Sequence, residues 1–168
     1  MEIRFITPED DVLEISNIYE QSWKYAYKDI IPQSFLDSIP AGKWAGTISK
    51  GSMKSLVIEE NGSLVGTAGI CPSRWERFSG YGEIVSLYLL PEYIGKGYGR
   101  KLFERCVAEL RSLGFSSILL WVLEENDRAR RFYERNGMIC SGEFIDDEIG
   151  GKPLRELMYI LRTDNTKE

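Results

Sequence analysis

The stretch Leu87-Tyr-Leu-Leu-Pro91-Glu-Tyr-Ile-Gly95-Lys-Gly97-Tyr-Gly99-Arg100-Lys-Leu102 decides how the rest of the chain is read. An apolar, strand-like run halts at Pro91, glycines follow at alternate positions, and a strongly periodic helix opens among them. Glycines without side chains let backbone N–H groups approach a ligand closely, and a helix N-terminus adds partial positive charge. Lys96, Arg100 and Lys101 bring full charges to the same place. The turn from Gly95 through Lys96, Gly97, Tyr98 and Gly99 to Arg100 therefore reads as a grip for an anionic group. Two familiar phosphate loops are excluded. Gly99-Arg100-Lys101-Leu102 lacks the hydroxyl that would hold magnesium, and the glycine spacing misses the dinucleotide fingerprint.

Composition narrows the chemistry further. A chain of 168 residues with 43% hydrophobic content reads as one globular domain, residues 1–168. Chains of this size bury roughly 70% of their extended surface and need no staples. The net charge of −5 argues against a general nucleic-acid binder, which needs a basic face. Histidine is absent, so Ser-His-Asp and Cys-His catalysis and a histidine zinc site are excluded. Cys71, Cys106 and Cys140 show no metal-ligand spacing, so no metal is expected and reduced thiols in a cytoplasmic protein are. No apolar run approaches the ~18 residues of a membrane helix, and the N-terminus has no signal-like pattern.

Along the chain, Glu2 to Ile6 alternates as a half-buried strand. Thr7-Pro8-Glu9-Asp10 predicts a helix start, with Thr7 as cap and Pro8 at the first helical position. Helical spacing continues through Val12, Ile15, Tyr19, Trp23 and Ala26, then Gln33 to Ile39, with a third helix after Gly42. The aromatics Trp23, Tyr25, Tyr27, Phe35 and Trp44 fall here, either packing a core or lining a pocket. Lys54 to Glu60 and Ser63 to Cys71 predict a hairpin around Asn61-Gly62. A loop, Pro72 to Gly80, carries Trp75 and Phe78 and leads to a strand, Gly82 to Leu90. The helix Gly97 to Leu113 is followed by Ser117 to Leu123, a continuous apolar run expected to be buried on both faces. Met138 to Ile145 and Leu154 to Leu161 predict a final strand pair around an acidic turn holding Asp146, Asp147 and Glu148. The last few residues read as frayed. Strand, helix, strand within 82–123 predicts a right-handed parallel unit in a largely antiparallel sheet.

A second constellation, Asn126-Asp-Arg-Ala129-Arg-Arg-Phe132-Tyr133-Glu-Arg-Asn-Gly137-Met138, follows the first by one helix and one strand. Together the two resemble the cofactor motifs of the GNAT superfamily of acetyl-CoA-dependent N-acetyltransferases, whose motifs read Gln/Arg-x-x-Gly-x-Gly/Ala and Asn-x-x-Ala-x-x-Phe-Tyr-x-x-x-Gly-Phe. The resemblance covers 54–161. One departure stands out: the leading Gln/Arg position is Ile94, so a side-chain contact is lost while the backbone grip is kept. The resemblance implies an α/β (α+β) fold with a mixed, mostly antiparallel sheet of about seven strands, one splayed parallel pair and helices on both faces.

It also implies roles. Leu87, Tyr88 and Leu89 would pair their backbone with the pantetheine arm, the Leu89 amide polarising the thioester carbonyl. Gly95 to Arg100 would wrap the pyrophosphate, Asn126 would hydrogen-bond the cofactor, and Tyr133 would protonate the leaving thiolate. Glu83 is the candidate base for the acceptor amine, acting through water, with Glu76 and Glu143 weaker. Arg130, Arg131 and Arg135 read as a solvated face. The expected activity is transfer of acetyl from acetyl-CoA to a primary amine by direct attack, the cofactor motifs lying within 83–137 and acceptor-binding helices within 8–50. The acceptor would be a small amine or a peptide amine, and the protein a monomer or homodimer. A non-catalytic acyl-CoA sensor and a transferase for another acyl-CoA are the alternatives.

Overall fold

In the computed structural model, which describes residues 1–162, seven strands form one sheet in the order β1-β2-β3-β4-β5-β7-β6. The strands are β1 (Glu2–Phe5), β2 (Lys54–Glu60), β3 (Ser63–Pro72), β4 (Gly82–Leu89), β5 (Ser117–Leu123), β6 (Ile139–Ile149) and β7 (Lys152–Arg162). All neighbours are antiparallel except β4 and β5. The helices are α1 (Val12–Ala26), α2 (Gln33–Ser38), α3 (Ala45–Lys50), α4 (Tyr98–Ser112) and α5 (Asp127–Arg135). The expected frayed tail lies outside the described residues.

Strand alternation sorts the two faces. On one, Leu102, Cys106 and Leu110 of α4 pack on Ile84, Ile118 and Leu120, with Phe132 and Tyr133 of α5 alongside. On the other, Ile15, Ile18 and Tyr19 of α1 cover Val57 and Leu64, while α2 packs Leu36 against Leu123 and Leu154. The loop between β3 and β4 closes the same face, setting Phe78 and Tyr81 near Leu119, Met158 and Trp121. Full burial of each large side chain contributes about 1.5–3 kcal/mol, so α4, with five buried residues, is firmly docked.

Two expectations are corrected. Thr7 does not cap a helix. The Asp10 carboxylate accepts from the Thr7 amide (2.7 Å) and from Arg4 (2.8 Å), folding residues 7–10 into a turn. Asp11 then caps α1 by accepting from Leu13 N–H at 2.8 Å. Asp146, Asp147 and Glu148 do not form the last turn either. They continue β6, opposite Arg155, Leu154 and Pro153, and the reversal falls at Gly150 and Gly151, both with positive φ. An Arg155–Asp146 pair at 2.7 Å lets acids sit in this exposed ladder.

Replacing Leu102, which is completely buried, with alanine leaves a cavity under the centre of the sheet. Urea unfolding of Leu102→Ala should show a loss of about 2–5 kcal/mol with an unchanged m-value.

Candidate active site

The parallel pairing of β4 with β5 ends almost as soon as it begins, after Gly82↔Ile118 and Glu83↔Leu119. Its cause lies on the other side of β4. Against β3, Ile84 pairs with Ile70 and Ser86 with Gly69, so Val85 is an extra residue, a bulge that turns β4 away from β5. Gly69 accommodates the bulge: its N–H bonds the Ser86 hydroxyl (3.0 Å), and a Cβ there would meet Met53 Sδ at 2.4 Å.

Beyond the bulge, Leu90 N–H reaches back to Val65 O at 2.9 Å. Alternation in an antiparallel pair then points the main-chain groups of Leu87 and Leu89 the other way, into the gap. There the Leu89 carbonyl accepts from Ser22 Oγ at 2.6 Å, while the Leu89 N–H faces the opening. The gap is a cavity of about 550 Å³ that passes between the two faces of the sheet. Its walls include Leu87, Tyr88, Leu89 and Leu120 from the strands, Tyr133 and Asn126 from α5 and its cap, and Tyr27 from the end of α1.

One end is built for an anion. Gly95 and Gly97 take φ of 79° and 86°, a region costly for other residues, and Gly97 caps α4 without a side-chain bond. The N–H groups of Tyr98, Gly99 and Arg100 have no intrahelical acceptor. Gly99 is there for closeness: a Cβ would contact Leu89 and Phe132 at 3.5 Å, filling the wall. Lys96 lies 5.6 Å from the Tyr93 ring, its charge exposed beside the turn, and Arg100 pairs with Glu104 at 2.8 Å. Ile94 lines the same wall and packs into the main core, so it offers no polar contact. Arg128 and Arg135 also line the cavity, whereas Arg130 is bound to Tyr159 (3.1 Å). The solvated-face reading of Arg135 thus misses its place on the wall.

Asn126 is the α5 cap, its Oδ1 accepting from Ala129 N–H at 3.2 Å, which leaves the side-chain amide N–H₂ for a ligand. Tyr133 packs between Phe103 and Phe132, and burial, reinforced by Tyr88 and Cys106, holds its phenol above the usual tyrosine range. The Tyr27 and Tyr88 phenols, at the end of α1 and on β4, lie close to each other. Burial pushes the Tyr27 phenol up to about 12, and Tyr133 and Glu156 add to the rise. Tyr88 also accepts from Trp23 Nε1 at 3.2 Å.

Glu83 is completely buried, and its carboxylate accepts from the Arg74 amide (2.9 Å), Nε (3.2 Å) and Nη2 (2.7 Å). It stands beside the cavity rather than on its wall. Glu76 sits in a short 3-10 turn and Glu143 pairs with Arg77 at 2.7 Å, and neither lines the cavity. Sequence reading did not single out Ser22, Trp121 or Arg128, which line the cavity, and weighed Tyr27 only as one of several aromatics that pack a core or line a pocket. Among the described residues no cluster of metal-ligating side chains occurs, and no helix is long and apolar enough to cross a membrane.

Comparison with known proteins agrees with this geometry. Residues 12–138 match the acetyltransferase (GNAT) family. The chain is 33% identical over 119 residues to YuaI, an uncharacterized N-acetyltransferase of Bacillus subtilis strain 168, covering 70% of this chain and 69% of that one. It is 28% identical over 145 residues to the L-amino acid N-acyltransferase MnaT of Escherichia coli K12, covering 85% and 82%. Among solved structures, the PaiA N-acetyltransferase of Thermoplasma acidophilum in complex with coenzyme A superposes with a TM-score of 0.75 at 20% identity, covering 97% and 100%.

The cap role of Asn126 is separable from the cofactor contact expected of it. Asn126→Asp keeps the oxygen that caps Ala129 N–H but removes the amide donor and adds charge. Calorimetric titration with coenzyme A should show at least ~10-fold weaker binding at little cost in stability, whereas Asn126→Ala should also lose about 0.5–2 kcal/mol of stability.

Proposed function

The chain belongs to the acetyltransferase (GNAT) family, and from that premise we propose that it moves an acetyl group from acetyl-CoA to a primary amine by direct attack in a ternary complex. The observation that carries the reading is the gap between β4 and β5. There the main-chain groups of Leu87 and the Leu89 N–H, left without a partner strand by the break in the ladder, lie between a helix N-terminus for anions and the half-buried Tyr133 phenol. A pantetheine arm is an extended chain with amides, the kind of partner that an interrupted ladder lacks.

In this reading Gly95 to Arg100, with Lys96, hold the pyrophosphate, and Leu87, Tyr88 and Leu89 bind the arm. The Leu89 N–H donates to the thioester oxygen as it gains charge, an interaction stronger in the transition state than before it. Asn126 donates to the cofactor from the head of α5. Tyr133 gives its proton to the departing sulfur. A thiolate in water, with a pKa near ~8.5, would be a weak base toward a phenol held above ~10. The same burial that raises the phenol also destabilises a thiolate formed beside it, so the transfer is matched. Glu83 receives the acceptor's proton through water, and residues 8–50 supply part of the acceptor side.

The three cysteines carry no covalent intermediate in this scheme. Cys106 is buried and its thiol is pushed up to about 12 by burial. Cys71 is raised by burial and by Glu83, and Cys140 lies on β6.

Thiol release from acetyl-CoA, followed across a panel of amino acids, polyamines and peptide amines, tests the reading. Tyr133→Phe should lower kcat about 10²–10⁴-fold while the Kd for acetyl-CoA stays within a factor of two. Binding without turnover on any amine would mark a non-catalytic sensor, and failure to bind any acyl-CoA would overturn the assignment.

A further inference from the structure

Where β4 leaves β5 it gains another partner. Three side chains of α1 hydrogen-bond to β4 beyond the bulge: Tyr19 Oη with Ser86 Oγ at 2.9 Å, Trp23 Nε1 with the Tyr88 hydroxyl at 3.2 Å, and Ser22 Oγ with the Leu89 carbonyl at 2.6 Å. Positions 19, 22 and 23 are spaced i, i+3 and i+4, so they share one face of the helix. Two of these bonds join side chains. The third, from Ser22, reaches the main chain at the opening itself. A serine inside a helix can return its hydroxyl to the carbonyl four residues earlier. Ser22 instead donates to a carbonyl 67 residues away, and it is buried and on the cavity wall.

One peptide plane takes the consequence. The Leu89 carbonyl and the Leu90 N–H belong to the same rigid amide. Its N–H end is tied to Val65 O at 2.9 Å and its C=O end to Ser22 Oγ at 2.6 Å. With that plane held at both ends, the Leu89 N–H is related to it by just the two soft dihedrals of Leu89. In an antiparallel strand the N–H and C=O of one residue leave on the same side, so both groups of Leu89 point into the gap. Uncovered, that carbonyl would set a partial negative charge beside the place where the Leu89 N–H meets a ligand oxygen. The Ser22 O–H covers it.

We propose that Ser22 is a positioning residue for acetyl transfer, one that aims the Leu89 N–H at the thioester oxygen and masks the Leu89 carbonyl from it. This rests on the acetyltransferase reading. As the amine nitrogen bonds to the thioester carbon, negative charge gathers on the carbonyl oxygen. It returns to the carbonyl bond when the C–S bond breaks and the sulfur takes the Tyr133 proton. Ser22 gives up no proton and forms no bond to the substrate. It acts through the Leu89 amide, so its effect is largest in the transition state, where the charge is largest. Coenzyme A has no thioester oxygen, and its binding does not draw on Ser22.

Ser22→Ala removes the hydroxyl and leaves Tyr19 and Trp23 to hold α1 on β4. With an accepted amine, kcat should fall about 10–10²-fold, while the KM for acetyl-CoA and the Kd of coenzyme A stay within about a factor of two. A second readout needs no turnover: the infrared carbonyl band of bound acetyl-CoA, isotope-labelled at the carbonyl carbon. A donor at oxygen polarises the bond, so wild type should lower the band relative to free acetyl-CoA, and Ser22→Ala should return it toward the free value. Tyr19→Phe removes the neighbouring bond to Ser86 and should leave the band as in wild type. A wild-type kcat and band in Ser22→Ala, or a fall in kcat matched by loss of coenzyme A binding or of melting temperature, would overturn this inference while leaving acetyl transfer standing. A wild type that binds acetyl-CoA with its band at the free value, and turns over no amine, would overturn both.

Discussion

The ladder between β4 and β5 stops after two residue pairs, and most of what this protein can do depends on that interruption. Buried main-chain N–H and C=O groups without partners cost roughly 1–3 kcal/mol each, so a sheet does not open at its centre without compensation. Here the strain is met on both sides. The Val85 bulge and Gly69 let β4 turn, Ser22 of α1 takes the Leu89 carbonyl, and the densely packed α4 face holds β4 from behind. What the break leaves is a short run of backbone at Leu87 and Leu89 without a partner strand. In the proposed reading a pantetheine arm would complete it, and little would have to be reorganised for it to bind.

That frame also explains which features were legible in the sequence. The Gly95–Gly99 turn and the Asn126–Tyr133 helix announce themselves through local rules: positive φ, a bare helix N-terminus, an Asn cap and an amphipathic face. The apolar run 117–123 was readable as a strand covered on both faces for the same local reason, and β5 is buried along nearly its whole length. The last hairpin was misread because acids were taken as turn residues. In β6 they are tolerated on an exposed edge by Arg155, a cross-strand partner nine residues away from Asp146. Thr7 was misread because a better acceptor, Asp10, was bound by Arg4 and turned back on it.

The side proposed to receive the acceptor was least legible, since its residues come from separate elements. Tyr27 looks like any of the aromatics of α1 until β4 brings Tyr88 against it. Trp121 looks like one more residue of an apolar strand, yet it meets Trp75 across a ring distance of 5.1 Å, and the indole N–H of each is buried without a hydrogen-bond partner among the described residues. Glu83 could be singled out by its place in the strand leading to the opening, but nothing local reveals that Arg74, nine residues earlier, would fold over it. Long-range pairing of charge is a tertiary fact, and sequence spacing alone does not encode it.

The charge along the gap is uneven, and this bears on how an anionic partner would approach it. Lys96, Arg100 and the α4 N-terminus gather positive potential at one end, and Arg128 and Arg135 add cations to the walls, although the chain as a whole carries −5. Glu83, buried beside the gap, is neutralised by Arg74 at 2.7 Å, so it sets little repulsion against such a partner. An anionic cofactor bound as proposed would therefore have one favourable direction of approach. Around Leu89 the titratable groups on the walls, Tyr27, Tyr88 and Tyr133, are phenols, each raised by burial. Phenols stay neutral at physiological pH, so they offer hydrogen bonds there without adding a charge that would hold a partner back.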